Sequence, residues 1–286
     1  MNEHTYERTT QDVGNILMME HVNVTVPDQA TALQFYLSGL GLTRDPYMMV
    51  GVENMWVNVG QQQFHLPTRD PQVVSGHVGL VIPDLERLQK RLKKVQDRLA
   101  DTQFSWSVED GYVAVTCPWG NHMRCYEPGP QFGEMTLGMP YVEVLVRLGT
   151  AAGIARFYQE VLQAPATVKP AEPGAVTTVR MGCDQALIFR ETNAEIPAYD
   201  GHHIAVYIAN FSGPHAFLQR HKLITEESDA HQYRFQDIVD PETGHLLCKI
   251  EHEVRSLYHP MWGRPLVNRN AAQNIRSYAR GRDAFV

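Results

Sequence analysis

Polar and apolar positions alternate over residues 18–27. Met19, His21, Asn23 and Thr25 fall on one side of an extended chain, and Glu20, Val22, Val24 and Val26 on the other. That period predicts a strand. Residues 29–38 have helical composition and stop at Gly39, which predicts a short helix. Three short strands are expected next, near 46–51, 54–59 and 61–66. The grammar then restarts. His77–Ile82 reads as a strand, and Pro83-Asp84 opens a charged helix over 84–99 with Leu85, Leu88, Leu92, Val95 and Leu99 on one face. Strands near 103–109, 111–117 and 122–126 close this second unit, so each unit reads βαβββ.

The second half of the chain repeats the pattern. A strand is expected at 141–148, a helix at 150–162, strands near 175–180 and 185–190, a strand at 202–209, a helix at 212–221, and strands to about 251. Phe35-Tyr36 is echoed by Phe157-Tyr158, and His21 by Glu143, each 122 residues later. Gly76–Leu85 is echoed by His202–Phe211, and Asn121–Glu127 by Gly244–Glu251. A duplicated module is an architectural statement, because paired copies enclose sites between or within them. The chain therefore divides into an arm (1–17), a first module (18–128), a second module (130–252) and a tail (253–286), with Pro128-Gly129-Pro130 as the linker. The stretch Tyr258–Asn270 is too rich in Pro and Gly for one helix, yet carries large apolar side chains that need something to pack on.

Composition narrows the function classes. At 286 residues the chain accommodates two domains of ordinary size. Lys plus Arg is 25 against 32 for Asp plus Glu, a net charge of −7, which argues against general nucleic-acid binding. No apolar run reaches the roughly 18 residues of a membrane span. The polar N-terminus carries Glu3, Glu7 and Asp12 and lacks the pattern of a signal peptide. Cys117, Cys125, Cys183 and Cys248 form no CxxC pair and read as reduced thiols, so a cytoplasmic protein without nucleic-acid or membrane partners is expected.

The paired units, His21 seven residues before Asp28, and the stretches Trp56–Leu66, Gly76–Leu85 and Pro118–Pro128 resemble the vicinal oxygen chelate superfamily. That group includes glyoxalase I, type I extradiol dioxygenases, methylmalonyl-CoA epimerase, fosfomycin-resistance transferases and bleomycin-binding proteins. The resemblance covers about residues 18–252. It implies an α+β fold of two tandem modules, each of paired βαβββ units forming a curved mixed-sheet cup. It fixes a scaffold more than a reaction.

By the same resemblance, inward positions on the first and last strands of each unit are ligand positions. They map to His21, His65, His77 and the last strand near Arg124–Glu127. Three imidazoles suit a divalent ion, Fe2+ first, with Mn2+, Zn2+, Ni2+ or Co2+ as alternatives. Two histidines with one carboxylate would give the facial arrangement of non-haem iron oxygenases. Four residues after Gly120, where the family usually has Glu, stands Arg124; after Gly244 it is Cys248. Glu127 and Glu251 lie three residues further, an odd shift that turns a side chain to the other face unless a bulge intervenes. Glu127 is thus either a fourth ligand or a surface carboxylate. Arg124 either orients an anionic group or replaces the metal's charge. In the second module Glu143, His203 and Glu251 form a poorer candidate set.

A single inward histidine is more often a core residue than a ligand; it is the coincidence of three that favours a metal. The resemblance then implies a metal-dependent enzyme acting on a small oxygen-bearing substrate, ring-cleaving dioxygenase-like or glyoxalase/lyase-like, with Arg124 in the catalytic role. The contrasting reading is a metal-free small-molecule binding protein of the bleomycin-resistance kind. Either is compatible with a homodimer.

Overall fold

The structure, a computed structural model, describes residues 6–46 and 52–264. In the first unit β1 (Ile16–Asn23) leads to α1 (Gln29–Ala32), which continues as a π-helical stretch over Leu33–Gly39. β2 (Thr43–Arg44), β3 (Asn54–Val59) and β4 (Gln62–Pro67) follow. The strand expected near 46–51 falls almost wholly outside the described residues. The second unit is β5 (His77–Val81), α2 (Leu85–Val95), β6 (Ser105–Glu109), β7 (Tyr112–Thr116) and β8 (His122–Tyr126). The third is β9 (Gly138–Arg147), α3 (Ala151–Glu160), β10 (Ala166–Pro170), β11 (Ala175–Arg180) and β12 (Ala186–Thr192). The fourth is β13 (His203–Ile208), α4 (Ser212–Arg220), β14 (Ile224–Asp229), β15 (Gln232–Val239) and β16 (Leu246–Ser256). β10 is an edge strand with mostly exposed side chains, so it carries no alternation by which to read it.

Local chemistry explains the boundaries. Asp28 and Asp84 cap their helices, each carboxylate accepting the backbone N–H three residues on, at 2.7 and 2.8 Å. On α2 and the turn after it, Leu88, Leu92, Val95 and Leu99 are buried, the stripe the periodicity predicts.

Two eight-stranded mixed sheets result. One runs β14-β15-β16-β13-β1-β4-β3-β2 and the other β10-β11-β12-β9-β5-β8-β7-β6. Each therefore joins one unit from each half of the chain: β1 pairs antiparallel with β13, and β5 with β9. The sequence-adjacent units meet instead through their helices. Gly39, at the end of the π-helical stretch, lies against Val95 and Leu92 of α2, and Phe157 of α3 packs 5.9 Å from Phe235 of β15. One continuous apolar cluster fills the space. No described helix is long and apolar enough to cross a membrane.

Gln185 ties the two sheets together. Its amide nitrogen donates to the carbonyls of Met19 (2.9 Å) and Met139 (3.0 Å), and its oxygen accepts from Met19 N–H (3.1 Å). Gln185→Ala leaves three buried backbone groups without this partner and is expected to cost about 1–3 kcal/mol. Urea denaturation checks this; a loss below about 0.5 kcal/mol would show that the junction is not held by this side chain.

Candidate metal centre

Each unit places one first-strand residue seven positions before its helix start. In the first sheet these are His21, before Asp28, and His203, before Asn210, whose side chain accepts from Gly213 N–H at 3.1 Å. On the last strands, His65 sits opposite Asn23 on β4 and Glu253 opposite Ala205 on β16, each two residues further along the register. His65 alternates with buried Phe64 and Leu66, and Glu253 with buried His252 and Val254, so both turn away from the apolar layer. The sheet thus pairs His21 with His203 and His65 with Glu253 as equivalent positions of two units. One ring nitrogen from each of His21, His65 and His203 lies within 4.8 Å of the others.

The surroundings of each ring leave one nitrogen free. His21 Nδ1 is 2.9 Å from Glu20 Oε2, and its Nε2 is buried without a hydrogen-bond partner. His203 Nδ1 is 3.4 Å from Glu251 Oε1, and its Nε2 likewise has no partner although Glu253 Oε2 lies 3.5 Å away. His65 Nε2 donates to Asn54 Oδ1 at 2.6 Å, and the ring stacks on Trp56 at 3.8 Å. Trp56 also meets His21 edge-on at 4.8 Å. A bulge between Met19 and His21 lets the neighbouring Glu20 and His21 side chains meet, which strict alternation would forbid.

A chain of alternating charges supports the carboxylate. Arg234 bonds Glu251 (2.8 Å) and Glu253, and Arg255 bonds Glu253 and Glu20. Burial alone would raise the Glu20 carboxyl, but Arg255 and the hydrogen bond from His21 hold it down at about 2. Burial opposes the charge on Glu253 in the same way, and Arg255 and His203 outweigh it, leaving the group well below the usual range. Burial pushes His65 well down, aided by His21 and His203, and pushes His203 down to about 4 against the pull of Glu253. Both rings are neutral at pH 7, the state that ligates metals. The tail packs on this sheet as far as it is described: Trp262 lies 4.8 Å from the Tyr207 ring, and buried Arg264 bonds Asp45 at 2.7 Å.

The structure brings His21 and His65 together but places His77 elsewhere. The sheet neighbour of β1 is β13, not β5, so His203 occupies the position the sequence reading gave to His77. His77 lies in the second sheet, with Nδ1 3.6 Å from Glu143 and Nε2 3.0 Å from the Tyr141 hydroxyl. Arg124 is on β8 of that same second sheet. Glu127 lies past the end of β8 and is exposed. Glu253, Glu20, Arg234 and Arg255 were not singled out from sequence. The signal for Glu253 was its register: Glu251, Glu253 and Arg255 alternate with buried His252 and Val254.

No protein-family profile matches this sequence, and no curated protein matches it significantly. Solved structures do. Glyoxalase I from Zea mays superposes with a TM-score of 0.55 at 13% identity, over 84% of this chain and 92% of that one. A candidate dioxygenase from Bacillus subtilis gives 0.57 at 14% identity, over 92% and 89%. At such identities the likeness establishes the fold alone, the tandem mixed-sheet fold shared with these two structures.

Proposed function

We propose that His21, His65, His203 and Glu253 hold one divalent transition-metal ion, and that the protein is a metal-dependent enzyme acting on a small substrate with adjacent oxygens. One observation carries this reading. Three imidazoles converge, two buried and His65 half-buried, each with one nitrogen facing an oxygen acceptor and the other left for a shared ligand. Metal-bound histidines show this second-shell arrangement, because the acceptor fixes the tautomer and raises ligand basicity. Imidazoles with one carboxylate suit Fe2+ first, then Mn2+, Zn2+, Ni2+ or Co2+. When bound, the ion would polarise the substrate's oxygens and stabilise the anion that develops there.

The protein's own residues divide the remaining work. Arg234 and Arg255 keep Glu253 ionised, which suits an anionic donor and not a proton carrier. Asn54 holds the His65 proton on Nε2. Trp56 walls the His65 and His21 rings from water. His21, His65 and His203 would hold the ion, with Glu253 beside His203 as the nearby carboxylate, and the ion would present a substrate's adjacent oxygens to this polar face. The metal-free reading followed from the missing last-strand glutamates and an inward Arg124; against it, Arg124 belongs to the other sheet and Glu253 lies beside His203.

Elemental analysis tests the proposal after expression with iron, manganese and zinc supplied. About one metal per chain is expected in wild type and in His77→Ala, and none in His203→Ala. A metal-free wild type, or a metal lost from His77→Ala but kept in His203→Ala, overturns it. Asn54→Leu should weaken metal affinity roughly 10–100-fold, the usual effect of losing an outer-shell partner. A competition titration with a chromophoric chelator reads that change, and an unaltered affinity would remove Asn54 from the centre.

A further inference from the structure

We propose that the second sheet holds a binding site for a small carboxylate, built on the positions that the first sheet gives to its histidine cluster. The equivalence is by register. His77 and Glu143 stand seven residues before Asp84 and Thr150, as His21 and His203 stand before their helices. Arg124 sits opposite Gly79 on β8, and Arg190 opposite Leu145 on β12, each two residues along, as His65 and Glu253 do. Where one sheet has three imidazoles and a carboxylate, the other has an imidazole, a carboxylate and two guanidinium groups.

Charge then decides what each cup accepts. Burial holds His77 at about 4, against the pull of Glu143, so the ring is neutral at pH 7. The four positions sum to one positive charge, which repels a divalent cation and attracts a monoanion. The two arginines are not equivalent. Arg190 is committed to Glu143, through Nε at 3.0 Å and Nη2 at 2.9 Å. Arg124 has no carboxylate partner among the described residues. It lies 5.3 Å over the Tyr112 ring, and against the cost of burial the neighbouring Tyr141, Tyr112 and Tyr126 phenols favour its charged form. Its guanidinium fork is free on the open side of the sheet, and such a fork matches a carboxylate with two parallel hydrogen bonds.

The floor under Arg124 is built. The Tyr141 hydroxyl bonds both His77 Nε2 (3.0 Å) and the Tyr126 hydroxyl (2.9 Å). The Tyr141 ring lies across Gly79, where an added Cβ would come within 2.4 Å of it. Only glycine permits that ring position, so the phenol chain holding Tyr126 beside Arg124 is set by the backbone. Phe132 packs 5.2 Å from Tyr126 and adds an apolar flank. The combination of one guanidinium with aromatic walls selects an aromatic or apolar carboxylate over a strongly hydrated dianion.

This inference does not depend on a metal in the first sheet. The test is calorimetric titration of chelator-treated protein with benzoate as the probe, and with inorganic phosphate in parallel. One benzoate per chain is expected, with phosphate weaker. Arg124→Gln should weaken benzoate at least about tenfold. Arg124→Lys, which keeps the charge and loses the fork, should weaken it too, while His21→Ala should leave it unchanged. No saturable benzoate binding, tighter binding of phosphate, or wild-type benzoate affinity in either Arg124 variant overturns the proposal.

Discussion

Arg255→Met is expected to cost about 3–5 kcal/mol of folding stability, the usual result of removing one partner from a buried ion network. Arg255 is 7% exposed and stands between Glu20, at 7%, and Glu253, at 4%. Without it, Glu20 keeps His21 and the Tyr207 hydroxyl, and Glu253 keeps Arg234 and the neighbouring His203 ring. Methionine fills much of the volume, so the loss reads as charge and not as cavity. The sign with pH follows from the depressed carboxylates. For Glu20, stability gained by the pairing is fully present above the ordinary value of 4.5 and is lost as pH falls toward about 2. The gap between wild type and variant should therefore be large at pH 7 and narrow on acidification through that window. Urea denaturation of chelated protein at pH 7 and near pH 3 measures both. A loss under about 1 kcal/mol at pH 7, or a gap that widens in acid, would show that Arg255 does not anchor these carboxylates.

Removing the metal is expected to lower the melting midpoint by about 5–10 °C. A ligand present at a hundred times its dissociation constant adds about 2.7 kcal/mol to the folded state. A chain of this size moves by a few degrees per kcal/mol. Thermal melts of metal-loaded protein with and without a chelator should show the drop, and restored metal should reverse it. His203→Ala should be insensitive to the chelator, and His77→Ala should respond as wild type does. A chelator response lost in His77→Ala but kept in His203→Ala would move the metal to the second sheet.

Much of the architecture is local and was legible. Strand alternation, the Asp28 and Asp84 caps, the apolar stripe of α2 and the repeated units are set by neighbours within a few residues, so single-sequence periodicity reports them. The side-chain parity of His21, His65 and His203 is equally local. Counting from a glycine turn was dependable where strands are regular, as between β7 and β8, where Arg124 pairs in register with Ala114. It failed on β16. Two register shifts interrupt the pairing with β15 after Gly244, and the residue in the register position of His65 is Glu253, not Cys248 or Glu251.

The sequence by itself determined the repeated βαβββ grammar and, where strands run without bulges, which of their side chains turn away from the apolar layer. Only the tertiary structure decided which units share a sheet. A first strand offers the same free edge to any other first strand, and nothing within β1 distinguishes β5 from β13 as its partner. That choice is made by packing across nearly two hundred residues: the Gln185 junction, the helices of adjacent units closing on each other, and Glu20 meeting Arg255. It separates His77 from His21, brings His203 and Glu253 in, and so puts three imidazoles and a carboxylate on one sheet and two guanidinium groups on the other.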